Sequence, residues 1–200
     1  MSRDTAPARR RVDWAAVAAQ MNELRDRTHR DYEVSRSSPR DPEKERKWIG
    51  SAQSFRAGLE NVWAIVDEAV ADLPQPGAVG FLVGFLDAAP RFHRSGYLAS
   101  DVIRQLTRRP EAIEPHRVTL QAVVLDRSQN SLGQTIRSTT RLATAVWDER
   151  LHERLTWTAE HGRSPSARTF ATVLLARVAN NQRSRTSGTT ARGSGREAST

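Results

Sequence analysis

A chain of 200 residues without a cysteine has room for a core of its own but excludes disulfides and thiolate metal sites. Its opening, MSRDTAPARRRVDW, is basic with no apolar stretch behind it, so no secretory signal or membrane anchor is read and a reducing, cytoplasmic setting is expected. The net charge of +8 is unevenly spread: +3 in residues 1–12, −4 in 13–90, +6 in 91–180 and +3 in 181–200. This polarity, rather than arginine abundance, points to an acidic partner. Arginine alone is weak evidence, because only Lys44 and Lys47 are lysine and GC-rich codon usage produces the same bias.

Residues 1–10 read as a disordered basic arm. From Arg11 the spacing Trp14, Val17, Met21, Leu24 predicts a helix to about Tyr32, with Glu23, Arg25, Asp26, Arg27 and Arg30 on its solvated face. Ser35–Asp41 is a linker. Asp41 as N-cap, Pro42 at the first helical position and Glu43 and Glu45 in the first turn then open a long helix. Its stripe is Trp48, Ala52, Phe55, Leu59, Val62, Val66, Ala69 and Leu73, ending at Pro74; Gly58 within it marks a close crossing. The most apolar run, Gly77–Pro90, is read as a short buried helix. Gly80 and Gly84 share one face and would let another backbone approach, and the run is too short to span a bilayer.

Arg91–Arg94 turn the chain. Ser95 caps a helix through Leu98, Val102, Ile103 and Leu106, and Glu114–Pro115 opens another with Val118, Val123 and Val124. Ser131 with Gln134 forms a capping box. Beyond it Ile136, Thr140, Ala143, Trp147, Leu151, Leu155 and Thr158 keep helical register to His161–Gly162, where the glycine is a natural stop. Residues 131–161 are one helix or a hairpin broken at Asp148, and periodicity favours one. Ser164–Pro165 starts the last helix, with Phe170, Val173, Leu174 and Val178 inward, and 181–200 is a Ser/Thr/Gly/Arg tail without the apolar surface to order itself.

The expectation is therefore an all-α, single-domain bundle of about six to seven helices over 11–180, with disordered basic termini. Stacked helical hairpins of HEAT type are the alternative, but no sequence period repeats convincingly.

No catalytic signature stands out. The histidines (His29, His93, His116, His152, His161) are scattered, and there is no H-E-x-x-H, G-x-S-x-G or phosphate-cradling glycine loop. Glu149 and His152 lie at i,i+3 as in di-iron bundles, with Asp26 and His29 at the same spacing, so a helical-bundle enzyme or metal-binding protein using Glu149 and His152 is the alternative function. The crowding of Arg150, Glu153 and Arg154 favours a solvated face instead. No cofactor is expected, and the balance is against an enzyme.

Basic pairs at i,i+4, namely Arg104/Arg108, Arg137/Arg141 and Arg150/Arg154, would grip a phosphate backbone if aligned. Trp157 with His161 could stack on an unpaired base. The leading reading is a non-enzymatic interaction domain whose basic second half and tails engage an acidic partner, nucleic acid or protein. Self-association is a further option and no membrane role is expected.

Overall fold

The computed structural model describes residues 12–36, 42–87, 95–130 and 135–193. The arm over 1–10, the Asp41 cap, the turn at Arg91–Arg94, the Pro90 stop and the Ser131–Gln134 box lie outside them. Every described element is helical, and none of these helices is long and apolar enough to cross a membrane. By packing, the chain divides into two compact units, Met1–Val62 and Trp63–Thr200, where the sequence suggests one helical domain over 11–180.

The first unit contains α1 (Trp14–Arg36) and most of α2 (Pro42–Ala71). Asp13 caps α1: its Oδ1 accepts from the N–H groups of Ala15 at 3.1 Å and Ala16 at 3.2 Å, satisfying donors that the helix start leaves without partners. Trp14 and Met21 are buried as the stripe requires, and Thr28 extends that face by two turns. Burying the Thr28 hydroxyl is tolerable because Oγ1 donates to the Leu24 carbonyl at 2.7 Å. Across the pair, Tyr32 and Phe55 meet with ring centroids 5.3 Å apart, and Ser54 donates to Asp31 at 2.6 Å.

Thr28 explains Gly58. A Cβ on Gly58 would collide with Thr28 Oγ1, while the remaining Thr28 carbons lie at 3.3 Å. The close crossing expected at this glycine is thus a helix meeting a threonine. Gly58→Ala should cost about 1–2 kcal/mol despite the better helix propensity of alanine. In a Thr28→Ala background the obstructing hydroxyl is gone and the same change should become neutral or stabilising. Chemical unfolding of the four proteins checks this, and an equal cost in both backgrounds would rule it out.

The second unit holds α3 (Pro76–Asp87), α4 (Ser95–Leu106), the single turn α5 (Pro110–Ile113), a 3-10 turn (Glu114–His116), α6 (Arg117–Asn130), α7 (Ile136–Ala145), α8 (Glu149–His161) and α9 (Pro165–Gly193). The apolar run does form a buried helix: Ala78, Val79, Phe81, Leu82, Val83, Phe85 and Leu86 are all buried in α3, which packs against α4, α5 and α6. Each large side chain there removes enough apolar surface to contribute roughly 1.5–3 kcal/mol. Its glycines do not serve a backbone approach. Gly84 is exposed with open space where a Cβ would stand, and Gly80 meets only the edge of His116 at 3.9 Å.

The most extensive partner in this unit is α9, which packs on α6, α7 and α8. Contacts that skip along the chain, such as α3 with α6, α4 with α7 and α6 with α9, belong to a bundle rather than to an array in which each repeat touches only its neighbours. The inward face of α9 is Ala167, Phe170, Ala171, Leu174 and Val178; Val173 sits beside that stripe and is 38% exposed, correcting its expected inward place. Val118 of α6 is likewise outside, at 65% exposure. The helix continues through Gly193 instead of ending at Asn181. A long nucleated helix adds residues cheaply, and here Ser184 Oγ donates to the Asn180 carbonyl at 3.0 Å and Arg183 to Asn180 Oδ1 at 2.8 Å.

Residues 131–161 do not form the single helix that periodicity favours. The break is at Asp148, which adopts an extended backbone (φ −154°, ψ 179°) and accepts from the Leu151 N–H through Oδ1 at 2.9 Å. This split makes eight helices of ten or more residues among the described residues, one beyond the expected range.

Candidate functional site

What holds α8 in place is built by α6. The last carbonyls before the break, Val146 and Trp147, have no helical partner and accept instead from Gln121 Nε2 at 3.0 Å and Arg117 Nη1 at 3.1 Å. Arg117 is steadied by a two-pronged contact with Glu114, Nε to Oε1 at 3.0 Å and Nη2 to Oε2 at 2.6 Å, which holds the Glu114 carboxyl below its ordinary range. At the far end of α8 the Gly162 carbonyl accepts from Arg168 at 2.8 Å, and Ser164 Oγ caps α9 by accepting from the Ala167 N–H at 3.1 Å. Both ends of α8 are therefore fixed by side chains from other helices, so its outer face is presented in one orientation.

That face can be read from the helical period. Leu151, Leu155 and Thr158 are buried. Arg150, Arg154, Trp157 and His161, at spacings of four, three and four, form one exposed line about 16 Å long. Trp157 is 58% exposed, a large apolar surface to leave in water. His161 lies against it with ring centroids 5.2 Å apart and planes 22° from parallel, and its Nδ1 is 3.2 Å from the Trp157 carbonyl oxygen. One face of the indole is thus backed by an imidazole. Among the described residues no carboxylate is in ion-pair contact with Arg150 or Arg154, while Glu149, Glu153 and Glu160 occupy a flank about a quarter turn away.

The other basic pairs also project from the solvent sides of their helices. Arg137 and Arg141 on α7 are exposed and have no ion pair among the described residues. Arg104 on α4 is engaged by Asp101, and Arg108 hydrogen-bonds Gln105 at 3.4 Å, so that pair is partly occupied by its own helix. α4 packs on α7, and α7 and α8 both pack on α9.

Glu149 and His152 lie 3.7 Å apart, with the carboxylate 84% and the imidazole 48% exposed, and the His152 ring tilts against Trp147 at 5.7 Å. Among the described residues no group of three or more His, Asp or Glu side chains could hold a metal ion. The pair sits on a wet surface, where solvent competes for any ion.

Asp148 links this geometry to pH. The Leu151 N–H first and then the Gln121 side chain hold its carboxyl below the ordinary aspartate range; burial opposes them, and the charges of Arg117 and Arg150 add smaller contributions in the same downward direction. A depressed folded-state pKa contributes stability that is full above the unfolded value and is lost as pH falls through the folded one. Asp148→Ala should cost about 1 kcal/mol at neutral pH through loss of the cap. The gap to wild type should narrow in urea titrations as pH falls below the ordinary aspartate value of 3.8. A gap independent of pH would mean the carboxylate charge plays no part.

Sequence reasoning found the exposed arginines and Trp157 from their spacing. It missed the clamps Arg117 and Gln121, because nothing local says which carbonyls a side chain thirty or twenty-five residues away will reach. The signal for Asp148 was present: aspartate, then glutamate, at the start of an apolar-periodic segment. No family model matches the chain, and no curated protein or solved structure matches it.

Proposed function

We propose that the protein is a non-enzymatic helical interaction domain that binds an acidic partner through the outer face of α8, and that single-stranded nucleic acid is the partner this face fits best. The observation that carries the reading is Trp157: a largely exposed indole, backed by His161 and preceded along one line by two exposed guanidinium groups that make no ion-pair contact among the described residues. A base has a π-face to stack on the indole, and its phosphates supply the charge that Arg150 and Arg154 attract. Arg137 and Arg141 would add sequence-independent grip. The flanking glutamates repel phosphate and so confine a strand to the basic line.

Affinity for a generic single-stranded oligonucleotide should fall steeply as salt rises from about 50 to 200 mM, in proportion to the phosphates contacted. Fluorescence anisotropy across that range measures the slope. A flat response or no binding at low salt removes nucleic acid and leaves an acidic protein as the partner.

A further inference from the structure

The basic face of α8 has a counterpart of opposite sign in the same compact unit. That unit begins at Trp63 and so takes in the last turns of α2. Residues 63–90 carry four carboxylates, Asp67, Glu68, Asp72 and Asp87, and no lysine, arginine or histidine, whereas 91–180 carry a net +6. On α2 the side chains of Val62, Val66 and Ala69 are buried, which turns Trp63, Ala64, Asp67, Glu68 and Ala71 outward. Trp63 is 44% exposed, and Asp67 follows it one turn on, at i,i+4. Among the described residues neither Asp67 nor Glu68 is in ion-pair contact with a basic group. Ala64 and Ala71 flank the indole and end in a single methyl, so another helix can approach closely there.

Arg154 and Trp157 make the complementary arrangement on α8, an exposed indole with a guanidinium three residues before it. Laid antiparallel with the indoles in register, the two helices bring oppositely charged groups together. Asp67 lies about 6 Å along its axis from Trp63, and Arg154 about 4.5 Å along its own from Trp157, in the same direction. Both indoles are exposed in the single chain, so the two faces do not cover one another within it.

We propose that the Trp63–Asp67 face of α2 in one copy of the chain docks on the Arg154–Trp157 face of α8 in a second copy, so that self-association covers the α8 face and competes with any other acidic ligand there. Exposed tryptophans that become buried beside opposite charges are the anchors from which protein interfaces draw most of their affinity and their register. Like charges oppose the alternatives: two α8 faces would set arginine against arginine, and two α2 faces aspartate against aspartate. The contact rests on the reading of α8 as a contact surface, but not on nucleic acid being its ligand.

The test is sedimentation velocity of the full chain from about 5 to 500 µM, at low and high salt. A pair of helix faces lies at the small end of protein interfaces, so wild type should pass from monomer to larger species within that range, and less readily as salt rises. Trp63→Ala should weaken association about 30-fold. Asp67→Arg and Arg154→Asp should each abolish it, because each sets like charges opposite one another. An equimolar mixture of those two variants should associate as wild type does: Asp67 of one copy then meets Arg154 of the other, and the reversed pair attracts as well. Should Trp63→Ala fail to fold, the mixture carries the test. A wild type that stays monomeric throughout, a folded Trp63→Ala that associates like wild type, or a mixture no better than its parts overturns the proposal. Oligonucleotide binding in dilute protein separates the two readings. Trp63→Ala should keep it while losing self-association, and a wild type that self-associates but ignores oligonucleotides removes nucleic acid and leaves this contact standing.

Discussion

Trp157→Ala should weaken binding of a single-stranded oligonucleotide by roughly 5- to 150-fold while leaving the fold intact, because one stacked base is worth about 1–3 kcal/mol. The indole is mostly exposed and its removal opens no cavity, so the melting temperature should hardly move. The slope of affinity against salt should also be unchanged, since no phosphate contact is lost. Arg150→Ala with Arg154→Ala should do the opposite, reducing the slope by about two and weakening all sequences alike. Trp157→Phe separates stacking from bulk apolar contact: a smaller π-face should recover part of the affinity. If Trp157→Ala binds as tightly as wild type, α8 is not the contact surface, whatever the salt dependence of the whole protein.

The second large effect falls on a glycine. Gly162→Ala should destabilise the protein by about 2–3 kcal/mol, an unusual loss for one added methyl group. Gly162 ends α8 with φ −53° and ψ 143°, a conformation open to any residue, so backbone freedom is not the reason. Space is. An added Cβ would stand 2.6 Å from the Thr158 carbonyl oxygen, with Ala167 Cβ and Arg168 Cγ at 3.4 and 3.3 Å behind it. A carbonyl of the same helix end cannot rotate away as a side chain can, and it already accepts from the Gly162 N–H at 2.8 Å. The whole α8–α9 junction must shift, including the Arg168 contact that fixes the end of the candidate interface. Gly84→Ala is the control of opposite sign. That glycine is exposed within α3, nothing would meet its Cβ, and replacing it should stabilise by about 0.5–1 kcal/mol through helix propensity and unfolded-state entropy. Guanidinium melts of both variants test the contrast, and a stable Gly162→Ala would show the junction is looser than its geometry.

These two glycines show where sequence reading works and where it stops. That Gly162 ends a helix followed by Ser164–Pro165 is visible in the letters, because capping and proline chemistry are local. The reason it cannot be alanine depends on Ala167 and Arg168 folding back against Thr158, which is a packing event. Gly80 and Gly84 make the same point in reverse: their spacing suggests a backbone contact, but spacing says only that two residues share a face, not whether anything lies opposite.

The sequence by itself determined the class of the fold, several helix starts and, with Val118 and Val173 as exceptions, which residues of the apolar stripes turn inward. Each of these follows from a period of 3.6 residues or from side-chain hydrogen bonds within a single turn. Trp14, Val62, Leu82, Ile103, Leu155 and Phe170 are buried as their stripes require, and the exposed arginines of α4, α7 and α8 were legible in the same way. Only the tertiary structure decided the clamping of the α7–α8 turn by Arg117 and Gln121 and the gathering of Ser100, Arg127 and Ser138 into one polar cluster. In each case the deciding partner comes from another helix or another turn. Hydrogen bonds of this kind act over a few ångströms of space and are indifferent to distance along the chain, so no local pattern records them.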